Sequence, residues 1–146
     1  MAKINLHSHT TYCDGKNTPE EMVLAAMDRG FDVFGFSGHS YTAFDESYCM
    51  SRSTTDAYEQ EVRRLASSYQ KKLTILCGIE QDIFSGPAEN RWDYAIGSVH
   101  AFYNREFDRY IYVDYSKDQM IRDREECYGG DFLAMAEDYF ATEATV

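Results

Sequence analysis

The chain has 146 residues, 44% of them hydrophobic, and a formal net charge of −11. This length and composition are typical of one globular domain with its own core and exclude a disordered chain. The negative charge disfavours binding to nucleic acid or to an anionic membrane, because both attract positively charged surfaces. The first residues lack a basic region followed by an apolar stretch, and no apolar run reaches bilayer length, so we expect a cytoplasmic protein.

The amino-terminal part of the chain predicts a strand, a helix and a second strand. The segment KINLHSH is the first strand, and the helix that follows spans Pro19 to Arg29. Thr18 and Glu21 form a capping box at its start, and Gly30 is placed to end it. The segment DVFGFSGHS is the second strand, with apolar residues up to a histidine.

Further strands follow a second amphipathic helix, which is predicted to open near Thr54 or Thr55. The segments LTILCGIEQDIF and YAIGSVHAF are predicted to be buried strands, and Cys77 a reduced core thiol. RYIYVDYS is consistent with a strand, and DFLAMAEDYFATEATV has helical periodicity up to the last residue. The alternation of strands and helices predicts parallel βαβ units, and therefore an α/β fold.

All four histidines of the sequence lie at the carboxyl ends of predicted strands. His7 and His9 are two residues apart in a strand and therefore project to the same side, where they can chelate a divalent metal ion. His39 and His100 follow later strands in the same way. Each residue taken alone has an ordinary alternative, such as a hydrogen-bonded surface or capping histidine.

Two carboxylates accompany the histidines at strand ends. Asp14, in YCDGK, is either a turn-forming residue or a carboxylate that turns back towards the same ion. Glu80 ends an apolar run, where an unpartnered carboxylate is costly and a cation is a natural partner. Because the carboxyl ends of parallel strands are where α/β folds carry their active sites, the joint pattern predicts a metal site.

These residues occur in motifs that resemble the signatures of the PHP superfamily, named for polymerase and histidinol phosphatase. The matching segments are HSHTTYCDG, GHS, GIE and GSVH, in that order. The YCDG loop followed by TPEE, and WDYAIGSVHAF further along, resemble the histidinol-phosphatase branch most. The resemblance covers residues 4 to about 103 and continues diffusely to the end of the chain.

The resemblance implies a parallel (β/α) barrel of the distorted seven-stranded type, with two or three divalent metal ions (Zn, Mn or Fe) at the carboxyl ends of its strands. The implied reaction is hydrolysis of L-histidinol phosphate, a small phosphorylated substrate, by a metal-held hydroxide. Glu80, bridging two ions, and His100 are the implied catalytic residues. The full set of implied metal ligands is His7, His9, Asp14, His39, Glu80 and His100.

The sequence departs from that family in length. Members are much longer, and the later motifs that carry their last ligands are missing from these residues. We therefore expect the amino-terminal part of a PHP barrel, a single C-terminally incomplete domain over residues 1–146, whose open edges permit a homo-oligomer. Two other functions stay open: a phosphoesterase acting on nucleotides or nucleic-acid ends, and a non-catalytic metal-binding assembly module.

Other residues near the motifs have no assigned role. Asp82 and Ser98 lie close to ligand motifs and either support the ligands or have structural roles. Phosphate-binding arginines are expected from the family, but the sequence does not rank the candidates, which are Arg52, Arg91, Arg105 and Arg109.

Overall fold

The computed structural model describes residues 1–145 and divides into two compact units, Met1–Gly97 and a second unit that begins at Ser98. That the units belong to one domain, as the sequence suggests, stays a prediction. Among residues 1–145, every helix is too short or too polar to cross a membrane.

The first unit is a sheet with two long helices. In chain order its elements are β1 (Ile4–Asn5), α1 (Pro19–Asp28), β2 (Val33–His39), α2 (Arg52–Tyr69), β3 (Thr74–Asp82), a 3-10 turn (Ile83–Ser85) and β4 (Tyr94–Ser98), which ends at the unit boundary. The strands lie in the order β1-β2-β3-β4, and β2 pairs in parallel with both β1 and β3. The predicted α/β class and its parallel strand pairs are therefore confirmed.

The predicted start of α1 is confirmed in detail. The backbone N–H of Thr18 donates to Glu21 Oε2 (2.8 Å), and the N–H of Glu21 donates to Thr18 Oγ1 (3.3 Å). Gly30, with φ +69°, follows the helix end in the left-handed region that glycine tolerates best. A capping box thus marks the start of this helix, and a glycine in the left-handed region follows its end.

The second helix begins earlier than predicted. Ser51, not a threonine, is the N-cap of α2, and its Oγ accepts from the N–H of Thr54 at 3.1 Å. The helix therefore opens at Arg52, about two residues before the predicted start. Serine and threonine are both good caps, so Ser51, Ser53, Thr54 and Thr55 all offer a possible start in the sequence.

The two faces of the sheet differ because side chains alternate along each strand. The apolar face of β2 and β3 packs against helix α2 and carries Cys77, a core residue as predicted. The opposite face carries small residues and the two candidate ligands, which the parallel register pairs directly: His39 with Glu80. The buried contacts of the apolar face are made by Phe34, Phe36, Ile75, Cys77 and Ile79 with Tyr58, Val62 and Leu65.

The second unit is an antiparallel hairpin with two helices: β5 (Ala101–Asn104), β6 (Arg109–Tyr112), α3 (Lys117–Tyr128) and α4 (Phe132–Glu143). The predicted buried strand YAIGSVHAF is divided in two. Its first half is β4, whose residues are half-buried or exposed, and its second half contributes to β5, which pairs with β6. Helix α3 was not predicted, although Ser116 is a typical N-cap residue and was the available signal. Of the segment RYIYVDYS, residues 109–112 form β6. The predicted final helix is α4, which ends at Glu143 and not at the last residue; Val146 lies outside the described residues.

Candidate metal centre

Five of the six expected metal ligands lie in the first unit, and the fold brings them together. His7 and His9 follow β1, Asp14 lies in the next loop, His39 ends β2, and Glu80 lies near the end of β3. They form two groups, each with ligand atoms within 4.8 Å of one another: His7, His9 and Glu80, and His9, Asp14 and His39. His9 belongs to both groups and joins them.

The first group surrounds one carboxylate oxygen. Glu80 Oε2 lies 3.0 Å from His9 Nε2 and 3.5 Å from His7 Nε2, and the two imidazole nitrogens are 3.1 Å apart. Donor atoms that bind one Zn ion at about 2.0–2.2 Å lie roughly 3–3.5 Å from each other. The three atoms therefore have the spacing of ligands to a common ion.

The second group is arranged around Asp14. His9 Nδ1 lies 2.8 Å from Asp14 Oδ1, and His39 Nε2 lies 3.6 Å from Asp14 Oδ2. His39 Nδ1 lies 3.2 Å from Glu80 Oε2, so the His39 ring extends between the two carboxylates. The two oxygens of Asp14 thus face two different imidazoles.

Strand β1 pairs with β2 through two residues only. The segment after it, which carries His7 and His9, is therefore held by serine hydrogen bonds instead of strand pairing. Ser8 Oγ donates to the carbonyl oxygen of Gly35 (2.7 Å), and the Ser8 N–H donates to Ser37 Oγ (3.3 Å). The N–H of Ser37 donates back to the carbonyl oxygen of Ser8 at 3.0 Å. Neither serine was predicted to have this role. The available signal for Ser8 was its position between two histidines, which turns its side chain to the opposite side.

A tight turn places Asp14. The N–H groups of Cys13 and Gly15 both donate to the carbonyl oxygen of Thr10 at 3.0 Å. A Cβ atom on Gly15 would lie 2.4 Å from the backbone nitrogen of Thr10, so a residue without a side chain is needed there. The two alternatives for Asp14 are thus compatible, since the turn itself directs the carboxylate to His9.

The cluster is buried on one side and open on the other. The side chains of Glu80 and His39 are 6% and 7% exposed, whereas that of His7 is 51% exposed. The hydrogen bond between His9 and Glu80 raises the pKa of His9. Burial opposes this rise, and Asp14 adds to it. Burial opposes ionisation of Asp14, but the hydrogen bond with His9 and the nearby imidazoles lower the pKa of its carboxyl. The carboxylates therefore favour positive charge at this position.

The donor set fits divalent metal ions. Imidazole nitrogens and carboxylate oxygens without thiolates suit Zn, Mn or Fe and do not suit a thiol-rich structural zinc site. A buried carboxylate among imidazoles also needs positive charge close by, which a cation supplies. His7, His9, Asp14, His39 and Glu80 are the residues of the first unit that would hold such ions.

His100 belongs to the second unit, where it lies immediately before β5. Its backbone carbonyl accepts from the N–H of Val113, and its Nδ1 lies 3.4 Å from Ser98 Oγ. Ser98 is thus in position to orient the imidazole ring. The metal-binding and catalytic roles expected for His100 stay predictions.

Two of the candidate arginines are engaged in ion pairs. Arg91 Nη1 lies 2.7 Å from Asp56 Oδ1 and 3.2 Å from Glu59 Oε2. These ion pairs connect the loop before β4 to helix α2. Arg109 pairs with Asp123 of α3, within the second unit. Both guanidinium groups are therefore engaged with carboxylates, and a phosphate-binding role of any candidate arginine stays a prediction.

Two further residues have structural contacts. The guanidinium of Arg52 lies over the ring of Tyr41, 4.8 Å from its centroid. Asp82 caps the 3-10 turn, because its Oδ1 accepts from the N–H of Phe84 at 2.8 Å. The structural alternative for Asp82 is therefore supported by its geometry.

Fold and site together define a class of protein: an α/β chain with a candidate metal centre at the carboxyl ends of parallel strands, an arrangement suited to metal-assisted hydrolysis. The family model described as "PHP domain" matches residues 5–143. The chain therefore belongs to the PHP domain family.

Comparison with known proteins adds three relatives. A "Probable histidinol-phosphatase" of Deinococcus radiodurans is 29% identical, in an alignment that covers 69% of this chain and 45% of that protein. The solved structure of the HisK protein of Listeria monocytogenes has a TM-score of 0.70 at 21% identity, covering 81% of this chain and 52% of that one. Histidinol phosphate phosphatase HisK of Lactococcus lactis, solved with Zn, L-histidinol and phosphate, has a TM-score of 0.55 at 20% identity, covering 86% and 51%.

These comparisons confirm the predicted PHP resemblance and the fold class. The chain spans about half the length of the relatives it matches. Its parallel sheet accordingly corresponds to part of the PHP-type (β/α) barrel.

Proposed function

We propose that this chain is part of a metal-dependent phosphomonoesterase that hydrolyses L-histidinol phosphate to L-histidinol and phosphate. The observation that carries the proposal is the position of Glu80, whose buried carboxylate faces the imidazoles of His7, His9 and His39 at 3.0–3.5 Å. The names of the relatives support the substrate. A role in histidine biosynthesis and a cytoplasmic location are part of the same proposal.

Divalent ions bound here would supply a nucleophile derived from water near neutral pH and would neutralise charge on the phosphoryl oxygens during in-line displacement. The protein's contribution is to hold the ligand atoms in place. Glu80 is held by β3 and His39 by β2, so rigid strands fix the buried half of the cluster. His9 belongs to both ligand groups and therefore fixes the distance between them.

The exposed half of the cluster faces the substrate. His7 and Asp14, with side chains 51% and 44% exposed, leave a path from solvent to the ligand atoms. A small phosphomonoester can approach by this path, whereas a long polyanion would meet a chain of net charge −11. The geometry therefore favours a small phosphorylated substrate over nucleic acid.

The proposal is tested by measuring phosphate release from L-histidinol phosphate by the chain loaded with Zn, Mn or Fe, together with its metal content by elemental analysis. We expect His9→Ala to abolish release, because His9 belongs to both ligand groups. Chelation should abolish it as well. Lys71→Ala, beyond the end of α2 that lies away from the site, is the control and should keep wild-type activity.

Full turnover after both His9→Ala substitution and chelation would contradict the proposal. Stoichiometric metal and a dimer without phosphate release would instead favour the metal-binding assembly module. Preferential cleavage of nucleotides or nucleic-acid ends would favour the other phosphoesterase function.

A further inference from the structure

We propose that Tyr94 is a positioning residue that holds the segment carrying His7 and His9 in its metal-binding conformation. This inference rests on the proposed function, because it concerns the same metal centre. Tyr94 opens β4, the fourth strand of the first unit's sheet. Its side chain lies on the face of the sheet that carries His39 and Glu80.

The hydroxyl of Tyr94 contacts the backbone immediately after the end of β1. Tyr94 Oη lies 2.6 Å from the carbonyl oxygen of Leu6 and 3.0 Å from that of Phe36. Leu6 is the residue before His7, and it follows the last residue of β1 that pairs with β2. The hydroxyl thus holds the backbone at the first residue after the pairing of β1 with β2 ends.

The ring of Tyr94 reaches this point by lying over two glycines. A Cβ atom on Gly35 would be 2.3 Å from Tyr94 Oη, and one on Gly78 would be 2.4 Å from Tyr94 Cζ. Both glycines lie on the same face as His39 and Glu80, two or four residues before them. Because neither glycine has a side chain, the ring packs directly on the backbone of β2 and β3, on the face that carries the ligands.

Ser37 completes the anchor. Its Oγ accepts from the N–H of Ser8 (3.3 Å), and its own N–H donates to the carbonyl oxygen of Ser8 (3.0 Å). The two neighbours of His7 are therefore both held by hydroxyl groups of the sheet. Tyr94 holds Leu6, and Ser37 holds Ser8. His7 itself is half exposed, so this backbone anchoring adds to its contacts with His9 and Glu80 in restricting the direction of its imidazole.

The test compares wild type, Tyr94→Phe and Val62→Ala in the full chain. Tyr94→Phe removes only the hydroxyl, whereas Val62→Ala lowers stability from the apolar face, away from the ligands. Each protein is titrated with Co²⁺ and Zn²⁺, and the visible absorption of the Co²⁺ form reports the ligand geometry. We expect Tyr94→Phe to bind about tenfold more weakly and to change the Co²⁺ spectrum. Val62→Ala should melt at a lower temperature but keep the wild-type affinity and spectrum.

Ser37→Ala removes the other half of the anchor and is expected to produce the same change, which covers the case in which Tyr94→Phe does not fold. Wild-type affinity and spectrum in either folded variant would overturn the positioning role and leave the proposed function standing. A wild-type chain that binds neither metal would overturn the proposed function as well.

Discussion

His39 Nδ1 lies 3.2 Å from Glu80 Oε2, because β2 and β3 run parallel in a register that pairs these two residues. Both side chains are almost completely buried. A shift of the register by one residue would turn one of them to the apolar face of the sheet. The candidate metal centre therefore depends on strand pairing as much as on the identity of its ligands.

Glu80→Gln should remove the response of the protein to metal. A ligand present at 100 times its dissociation constant stabilises the folded state by about 2.7 kcal/mol, and this gain depends on the charged carboxylate at the centre of the first group. The rise in melting temperature on addition of ZnCl₂ measures this stabilisation. Gln81→Ala changes the next residue, which faces the other side of β3, and should keep the response. A full Zn-dependent rise in the melting temperature of Glu80→Gln would contradict this prediction.

Gly15→Ala should lower stability and weaken metal binding together. Its Cβ would lie 2.4 Å from the backbone nitrogen of Thr10, so the turn must open and Asp14 must move. Overpacking of this kind costs about 1–3 kcal/mol. Urea denaturation and Zn titration measure the two effects, with the exposed neighbour Lys16→Ala as the control. Unchanged values in both experiments would show that the turn does not place Asp14.

Tyr58→Phe should destabilise the first unit although it removes one oxygen atom only. The buried hydroxyl donates to the carbonyl oxygen of Gly78 (2.8 Å) and accepts from the N–H of Gly38 (3.3 Å), so two backbone groups lose a partner. Leaving buried polar groups unsatisfied costs about 1–3 kcal/mol. Chemical denaturation provides the measurement, and Tyr115→Phe, 76% exposed, should change little. Equal stabilities of the two variants would refute the role of the Tyr58 hydroxyl.

Cys77 should resist alkylation in the native protein. Burial raises the pKa of its thiol to about 12, and the residue is 1% exposed, so little thiolate is present or accessible at pH 8. Iodoacetamide labelling followed by mass spectrometry should show modification at Cys77 only after denaturation. The same reaction in guanidinium chloride is the control. Rapid labelling of Cys77 in the folded chain would place it outside the core.

Local sequence patterns were sufficient for several features of the fold. The capping box of Thr18 and Glu21 located α1, and the alternation of apolar segments with helices indicated parallel pairing. Such features depend on residues a few positions apart, whose contacts are determined by backbone geometry. The start of α2 at Arg52 was less accessible, because neighbouring hydroxyl residues compete for the same cap.

The sequence by itself determined which residues can bind metal: imidazoles and carboxylates placed at strand ends, in the order of the PHP motifs. Only the tertiary structure decided that His39 faces Glu80, that the turn at Gly15 directs Asp14 to His9, and that Tyr94 rests on glycines of two other strands. The physical reason is that these contacts join residues on separate segments. Strand register and close packing set them, and neither is contained in a local pattern.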